Sequence, residues 1–297
     1  MHYFYKFSIS SVFMALFCII VQTKKVISMW PGKKTIATLK ITACATLLCI
    51  FGCRSFMGLE KLSPQEREAK GWIEALGGKI DTGHIPWTGR ISGHIVDLSG
   101  SEVQDDELYQ LKKLFPRMSS LDLSDTGING SGMPNIVEIS DPKHRSLSKL
   151  SLSHTMVTDD ALCRLIKDAR INCLDLSETR ITDIGIKCLD TAADIGVLDL
   201  SNTKVTRAGV YKLKDIKFLR EVRLRRLTLE DNDIPALIDL ANKEFYLWCI
   251  DLRETKLSKA GVLKLRNMLK SNSVATKIVF ETAENGCEAY MDQNKSQ

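Results

Sequence analysis

Residues 174–197 read LDLSETRITDIGIKCLDTAADIGV, and residues 198–213 read LDLSNTKVTRAGVYKL. The second stretch restarts the first. Leu174 matches Leu198, Thr179 matches Thr203, Gly185 matches Gly209 and Leu189 matches Leu213, each pair 24 residues apart. A chain that repeats at a fixed step of this size builds a solenoid. Each unit is too short to bury its own apolar face and must stack on its neighbours.

Within one unit, Leu174 and Leu176 have the two-residue period that buries one face of a strand, so Asp175 and Ser177 point the other way. Thr179 follows in a turn and Ile181 returns inward. Thr182 precedes Asp183-Ile-Gly-Ile, where its hydroxyl is placed to accept from a free helix N–H. Asp183 sets negative charge at the positive end of that helix. Ile186 and Leu189 give the helix its buried side.

The register extends in both directions. The first strand residue recurs at Val96, Leu121, Leu150, Leu174, Leu198, Val222, Ile250 and Ile278, at intervals of 25, 29, 24, 24, 24, 28 and 28. Fifteen residues after each of the first seven stands Leu111, Ile136, Leu165, Leu189, Leu213, Leu237 or Leu265. Eight after them stand Gln104, Asn129, Thr158, Thr182, Thr206, Glu230 and Ser258, of which five are good helix caps.

The first 52 residues are different. They hold six Lys and no Arg, Asp or Glu, so the remainder carries 35 basic residues (41 less 6) against 36 acidic ones. The net +5 belongs to this leader, and the repeat domain is about neutral, which removes the electrostatic case for nucleic acid. Two apolar runs, Ser11–Val21 and Ile41–Gly52, are each shorter than the ~18–20 residues of a membrane span. Lys33, Lys34 and Lys40 precede the second run, the layout of an export signal. A start at Met29 would leave a compact signal over 29–52, with 1–28 an upstream extension. The alternative to that start is a membrane hairpin made of both runs, which their short length opposes, and the alternative to cleavage is an uncleaved signal anchor.

The expected layout is a leader over 1–52, a tether over 53–61, an N-terminal cap over 62–93, about seven repeats over 94–281 and a polar tail over 282–297. The cap contains a helix from Pro64 to Ala75, with Trp72, Ile73 and Leu76 on its buried side and Gly77-Gly78 at its end. Pro134 and Asp141-Pro142 mark an enlarged connection. The unit at Val222 diverges, since Leu227 replaces the usual Thr and Pro235 falls in the helix region. Local irregularity is expected there. The final strand is placed at Ala275–Phe280.

Of the nine cysteines, Cys18, Cys44, Cys49 and Cys53 lie in or at the leader. The other five, Cys163, Cys173, Cys188, Cys249 and Cys287, have no C-x-x-C spacing and read as free thiols packed as small apolar residues, although export permits disulfides.

The unit L-x-L-S-x-T-x-[IV]-T-D-x-G-[IL]-x-x-L resembles the cysteine-containing type of leucine-rich repeat with Thr in place of the usual Asn. It is most similar to leucine-rich repeat lipoproteins of planctomycete bacteria, over residues 70–285. The end of the leader, Leu48-Cys-Ile-Phe-Gly-Cys53, resembles a lipoprotein signal with Cys53 as the lipidated residue. The resemblance implies an α/β, right-handed leucine-rich-repeat solenoid. Its curved parallel sheet would form the concave side and short helices the convex side.

On such a solenoid the residues between and after each Leu pair face the concave surface. The first column is Asp97, Asp122, Ser151, Asp175, Asp199, Arg223, Asp251 and Val279. The second includes Ser99, Ser124, Ser153, Ser177, Ser201, Arg225 and Arg253. Asp97, Asp122, Asp175, Asp199 and Asp251, with Arg223, Arg225 and Arg253, are therefore the candidate partner-binding residues. Arginine forks suit carboxylates and planar polar groups, or else Asp199 and Asp251 pair them off internally. The Thr column, Ser101, Thr126, Thr155, Thr179, Thr203, Leu227 and Thr255, reads as structural: a hydroxyl at each step can bond to neighbouring backbone at the turn and form a ladder.

No P-loop, G-x-S-x-G, H-E-x-x-H or dinucleotide glycine motif is present, so no enzyme activity and no cofactor is expected. His84 and His94 lack the further ligands of a metal set. Asp175 and Asp199 alone fall short of the 6–8 oxygens of a Ca²⁺ site. The expected function is a membrane-anchored protein in the bacterial cell envelope that binds a protein partner through its concave sheet. The alternative is a structural envelope solenoid with no discrete ligand.

Overall fold

The computed structural model describes residues 62–84, 91–114, 118–134, 146–168, 170–191, 195–242, 247–271 and 276–280. The leader, Cys53, the tether, the tail, Ile136 and Cys287 lie outside these residues.

A helix, α1 (Pro64–Ala75), opens the fold. Ser63 Oγ accepts from the Glu66 N–H and the Glu66 carboxylate accepts from the Ser63 N–H, closing a capping box ahead of Pro64. Ile73 is fully buried, with Trp72 and Leu76 packed against the core. Gly77 ends the helix at φ 78°, a conformation that costs other residues steric strain.

Nine strands then form one sheet in strict chain order: β1 (Lys79–His84), β2 (Ile91–Asp97), β3 (Met118–Asp122), β4 (Ser146–Ser151), β5 (Arg170–Asp175), β6 (Val197–Asp199), β7 (Glu221–Arg223), β8 (Cys249–Asp251) and β9 (Lys277–Val279). From β2 onward every pair is parallel. β1 is antiparallel to β2 and covers its edge. The stretch read as helical cap thus contributes a strand as well, which has no counterpart in the repeat pattern. The leucine column stacks rung on rung: Val96, Leu121, Leu150, Leu174, Leu198, Val222, Ile250 and Ile278 are consecutive Cα partners.

Helical segments return the chain on the other side: a 3-10 helix at Asp105–Leu114, then α2 (Asp159–Asp168), α3 (Asp183–Cys188), α4 (Arg207–Lys212), α5 (Ile234–Ala241) and α6 (Lys259–Ser271). Leu111, Leu165, Leu189, Leu213, Leu237 and Leu265 are fully buried in the one continuous core. This is a leucine-rich-repeat solenoid.

Several local readings need correction. The Thr hydroxyls do bond neighbouring backbone at the turn, but they do not link one repeat to the next. Thr126, Thr155, Thr179, Thr203 and Thr255 each donate to the carbonyl three residues back in their own repeat, and Ser101 does the same. Their work is to close one turn. Leu227 lacks that bond but is buried, and its strand keeps the common register. The expected irregularity is absent because apolar burial substitutes for the hydroxyl. Pro235 lies in the first turn of α5 and interrupts nothing, since those N–H groups have no intrahelical partner. Nor are the repeat-domain cysteines all free thiols. Cys163 on α2 is bridged to Cys188 on α3 with Cα atoms 5.2 Å apart, Cys249 is disulfide-bonded as well, and Cys173 is a buried free thiol. The step of about 24 residues sets adjacent helices side by side, and that brings sequence-distant sulfurs within disulfide reach.

A ladder between repeats does exist on the helical side. Asp159 accepts from the N–H and hydroxyl of Thr182 at 2.8 and 2.6 Å. Asp183 accepts from the N–H and hydroxyl of Thr206 and from the Gly209 N–H. Asp231 treats Ser258 likewise, and Asp105 accepts from the N–H groups of Asn129, Gly130 and Gly132. Each carboxylate therefore caps the helical turn of the following repeat, and its charge-assisted bonds to free N–H groups stabilise that helix start. The glycine of the next unit makes room. A Cβ at Gly185 would sit 2.5 Å from Asp159 Oδ1, and one at Gly209 or Gly261 would collide with Asp183 or Asp231.

Candidate functional site

The open face of the sheet is the expected concave surface. Its side chains come from the columns containing Asp97 and Ser99. The sequence reading omitted a third, the residue before each first Leu: Ile95, Ser120, Lys149, Cys173, Val197, Glu221, Cys249 and Lys277. Period-two alternation places these beside the other two columns.

The face divides in two. On β2, β3 and β5, Asp97, Asp122 and Asp175 are half-exposed. Each accepts from the N–H and hydroxyl of its own Ser, at Ser99, Ser124 or Ser177, and all of these bonds fall on Oδ1. The Ser99 hydroxyl holds the Asp97 carboxyl below its usual range, against the smaller opposing effect of burial. Each of these carboxylates is held in a fixed orientation by its serine. Ile95, 43% exposed, stands among them.

On β6 to β8 the face is a buried charge cluster. Arg223 reaches Glu221 at 2.8 Å and Asp199 at 3.6 Å, and donates from Nε to Glu221. Arg225 lies 3.8 Å from both Asp199 and Asp251. Arg253 grips Asp251 with contacts of 2.6–3.1 Å. Side-chain exposure is only 10% for Arg223 and 12% for Arg253, against 32% for Arg225. The arginines are thus paired internally, and Asp199 and Asp251 are their partners. Burial drives the Glu221 carboxyl above its usual range despite Arg223 beside it. Burial and the neighbouring Asp175 drive Asp199 up as well.

A third feature is a ridge along the strand ends. Gly100, Asp125, His154, Glu178, Asn202, Arg226 and Glu254 all have φ between 55° and 67°. Six are not glycine, and each carries the left-handed cost of roughly 1–2 kcal/mol. From Gly100 to Arg226, each N–H reaches a carbonyl of the next repeat at 2.8–3.2 Å, which offsets that cost. The ridge's exposed side chains pair as Asp125–His154 and Arg226–Glu254. Asp125, His154 and Asn202 are residue types enriched at positive φ, but Glu178, Arg226 and Glu254 are not, so composition marks the column only in part. Beside the ridge, Ser177, Glu178, Ser201, Asn202, Arg225, Arg226 and Glu254 line a shallow hollow of about 150 Å³.

His94 is buried with Nε2 3.1 Å from Glu66 Oε1, tying the cap helix to β2. Burial pushes the Glu66 carboxyl up, but the Ser63 N–H and His94 outweigh it and leave it below its usual range. Among the described residues, no group of His, Cys, Asp or Glu is arranged to hold a metal, and no helix is long and apolar enough to cross a membrane.

No known family matches the sequence, nor does any curated protein. Among solved structures the chain is similar to an internalin (inlF) from Listeria monocytogenes, at 14% identity over 63% of this chain and 53% of that one, with a TM-score of 0.40. The chain spans about half the length of that structure, and the likeness carries no argument about the site.

Proposed function

We propose that this protein is an exported, membrane-anchored binding scaffold of the bacterial cell envelope, and that it holds a protein partner against the open face of β2–β5. The observation that carries the reading is the row Asp97, Asp122 and Asp175. These carboxylates are half-exposed and locked by their own serines at one oxygen. Among the described residues no bond falls on the other oxygen. The surface is broad and shallow, which suits a macromolecule better than a small molecule. A partner that fits presents basic side chains at the spacing of neighbouring strands.

Export is supported by the Cys163–Cys188 bridge, since such bonds persist in oxidising compartments. The leader that ends at Cys53 supports the anchor. The intact mass of membrane-extracted protein tests it: a lipidated chain starting at Cys53 is expected, and an unmodified chain starting at Met1 overturns it.

The binding surface is tested by photo-crosslinking from Ser124 in intact cells. A discrete protein adduct is expected, lost when Asp97, Asp122 and Asp175 are all changed to Asn. An adduct indifferent to that change rules out the acidic row. Replacing Arg223 and Arg253 tests stability rather than recognition, because their charge is already consumed inside the sheet.

A further inference from the structure

The hollow beside the ridge measures about 150 Å³. Pockets that enclose a free drug-sized ligand start at roughly 300 Å³, so this one suits a single inserted side chain. Ser201, 7% exposed, lies at its floor. Glu178, Asn202 and the Arg226–Glu254 pair are exposed and form its rim. Arg225 lies between, with 32% of its side chain exposed.

Ser201 departs from the pattern of its column. Ser99, Ser124 and Ser177 each donate their hydroxyl to the Asp two residues back, at 2.6–2.7 Å. The Ser201 N–H keeps the matching bond to Asp199 at 2.9 Å, but its hydroxyl has no hydrogen-bond partner among the described residues. Arg225 is alike. Asp199 and Asp251 stand 3.8 Å from it, too far for a hydrogen bond, and its buried Nε–H has no acceptor among the described residues. Buried donors are normally satisfied, so two of them on one hollow mark the place of an acceptor.

The charges nearby select that acceptor. Asp199 and Asp251 flank Arg225, and Glu178 and Glu254 stand on the rim. An added carboxylate would therefore meet four others, against the guanidinium groups of Arg225 and Arg226. An ammonium group, which only donates, would leave the Arg225 Nε–H unmet and face its charge. A neutral carboxamide avoids both costs. Its oxygen has two lone pairs for the two donors, and its NH2 can donate to Glu178 or Asn202. Ser201 and Arg225 hold matching positions on adjacent rungs, ~4.8 Å apart. One oxygen spans about that separation with two hydrogen bonds of ~2.9 Å. We propose that this hollow receives the carboxamide of one Gln or Asn side chain of a protein partner, with Ser201 and Arg225 donating to its oxygen. The site lies apart from the acidic row and stands whether or not that row binds.

The test is a titration of the full chain, followed through the Arg225 Nε–H resonance. The probes are N-acetylglutamine methylamide and the equally blocked glutamate, lysine and leucine. A saturable shift is expected with blocked glutamine. Blocked glutamate and lysine should bind at least tenfold more weakly, and blocked leucine, which carries the same peptide groups, should give no saturable shift. Ser201→Ala should weaken the glutamine probe at least threefold. No saturation by any probe, as for a hollow that holds only water, overturns the proposal. So does glutamate or lysine matching glutamine, or an unaltered affinity in Ser201→Ala. Free glutamine binding more tightly than its blocked form assigns the site to a soluble amide and overturns the side-chain source.

Discussion

Asp233 stands 3.9 Å from Arg207, and the two replace an aspartate–glycine pair found at four other steps of the solenoid. Elsewhere a carboxylate enters the next repeat and glycine makes room: Asp105 with Gly132, Asp159 with Gly185, Asp183 with Gly209, Asp231 with Gly261. At this step the carboxylate comes from the receiving repeat, and Asp233 closes its own capping box with Glu230. Where Gly130 provides no carboxylate, Ala161 fills the space.

The swap predicts a rescue. Arg207→Asp alone sets two carboxylates face to face and should destabilise by about 1 kcal/mol. Adding Asp233→Gly restores the common pair and should recover most of it. Urea midpoints of the three chains decide the matter. If the double variant is no better than the single, the exchange rule is wrong.

Gly185→Ala should be tolerated only when Asp159 is shortened. Asp159→Ala loses a cap to Thr182, at roughly 1–2 kcal/mol, and Gly185→Ala drives a methyl into Asp159 and against Ile181 and Leu162. The two costs should be less than additive by at least ~0.5 kcal/mol in a double-mutant cycle. Simple additivity would count against the glycine's role.

Cys163→Ala with Cys188→Ala removes a link across 25 residues of sequence. A loss of about 2–4 kcal/mol is expected, and reducing agent should lower the wild type more than the variant. Thermal unfolding with and without reductant is the measurement.

Glu221 should make stability fall as pH rises. Its folded carboxyl is raised above 4.5, mainly by burial. The folded chain therefore holds that proton more tightly than the unfolded one. The contribution is full below about 4.5 and is lost as pH climbs through the raised value. Glu221→Gln should flatten the fall in stability as pH rises above about 4.5, leaving the part due to Asp199. An unchanged slope would show that the buried charge is already compensated by Arg223.

The repeat register, the buried columns and the cap helix were legible because they rest on residue type at fixed spacing. The leucines from Val96 to Ile278 fell on adjacent rungs, and α1 runs from Pro64 to Ala75 as its Pro and Gly signals require. The inter-repeat bonds of Asp159 and Asp183 were hidden. Those residues read as local charges at a helix start, and nothing in one unit says which neighbour its carboxylate will enter.

The candidate site divides the same way. Alternation alone determined that Asp97, Asp122, Asp175, Arg223 and Arg253 share one face. Whether each meets solvent or an opposite charge depends on what the strand 24 or 28 residues away brings alongside, which only the stacked structure decided. Glu221 burying Arg223, Cys163 meeting Cys188 and the left-handed ridge from Asp125 to Glu254 are of that kind. Periodicity is a property of the chain and survives in its letters. Burial, pairing and backbone strain are properties of neighbours, and they come into being when the repeats stack.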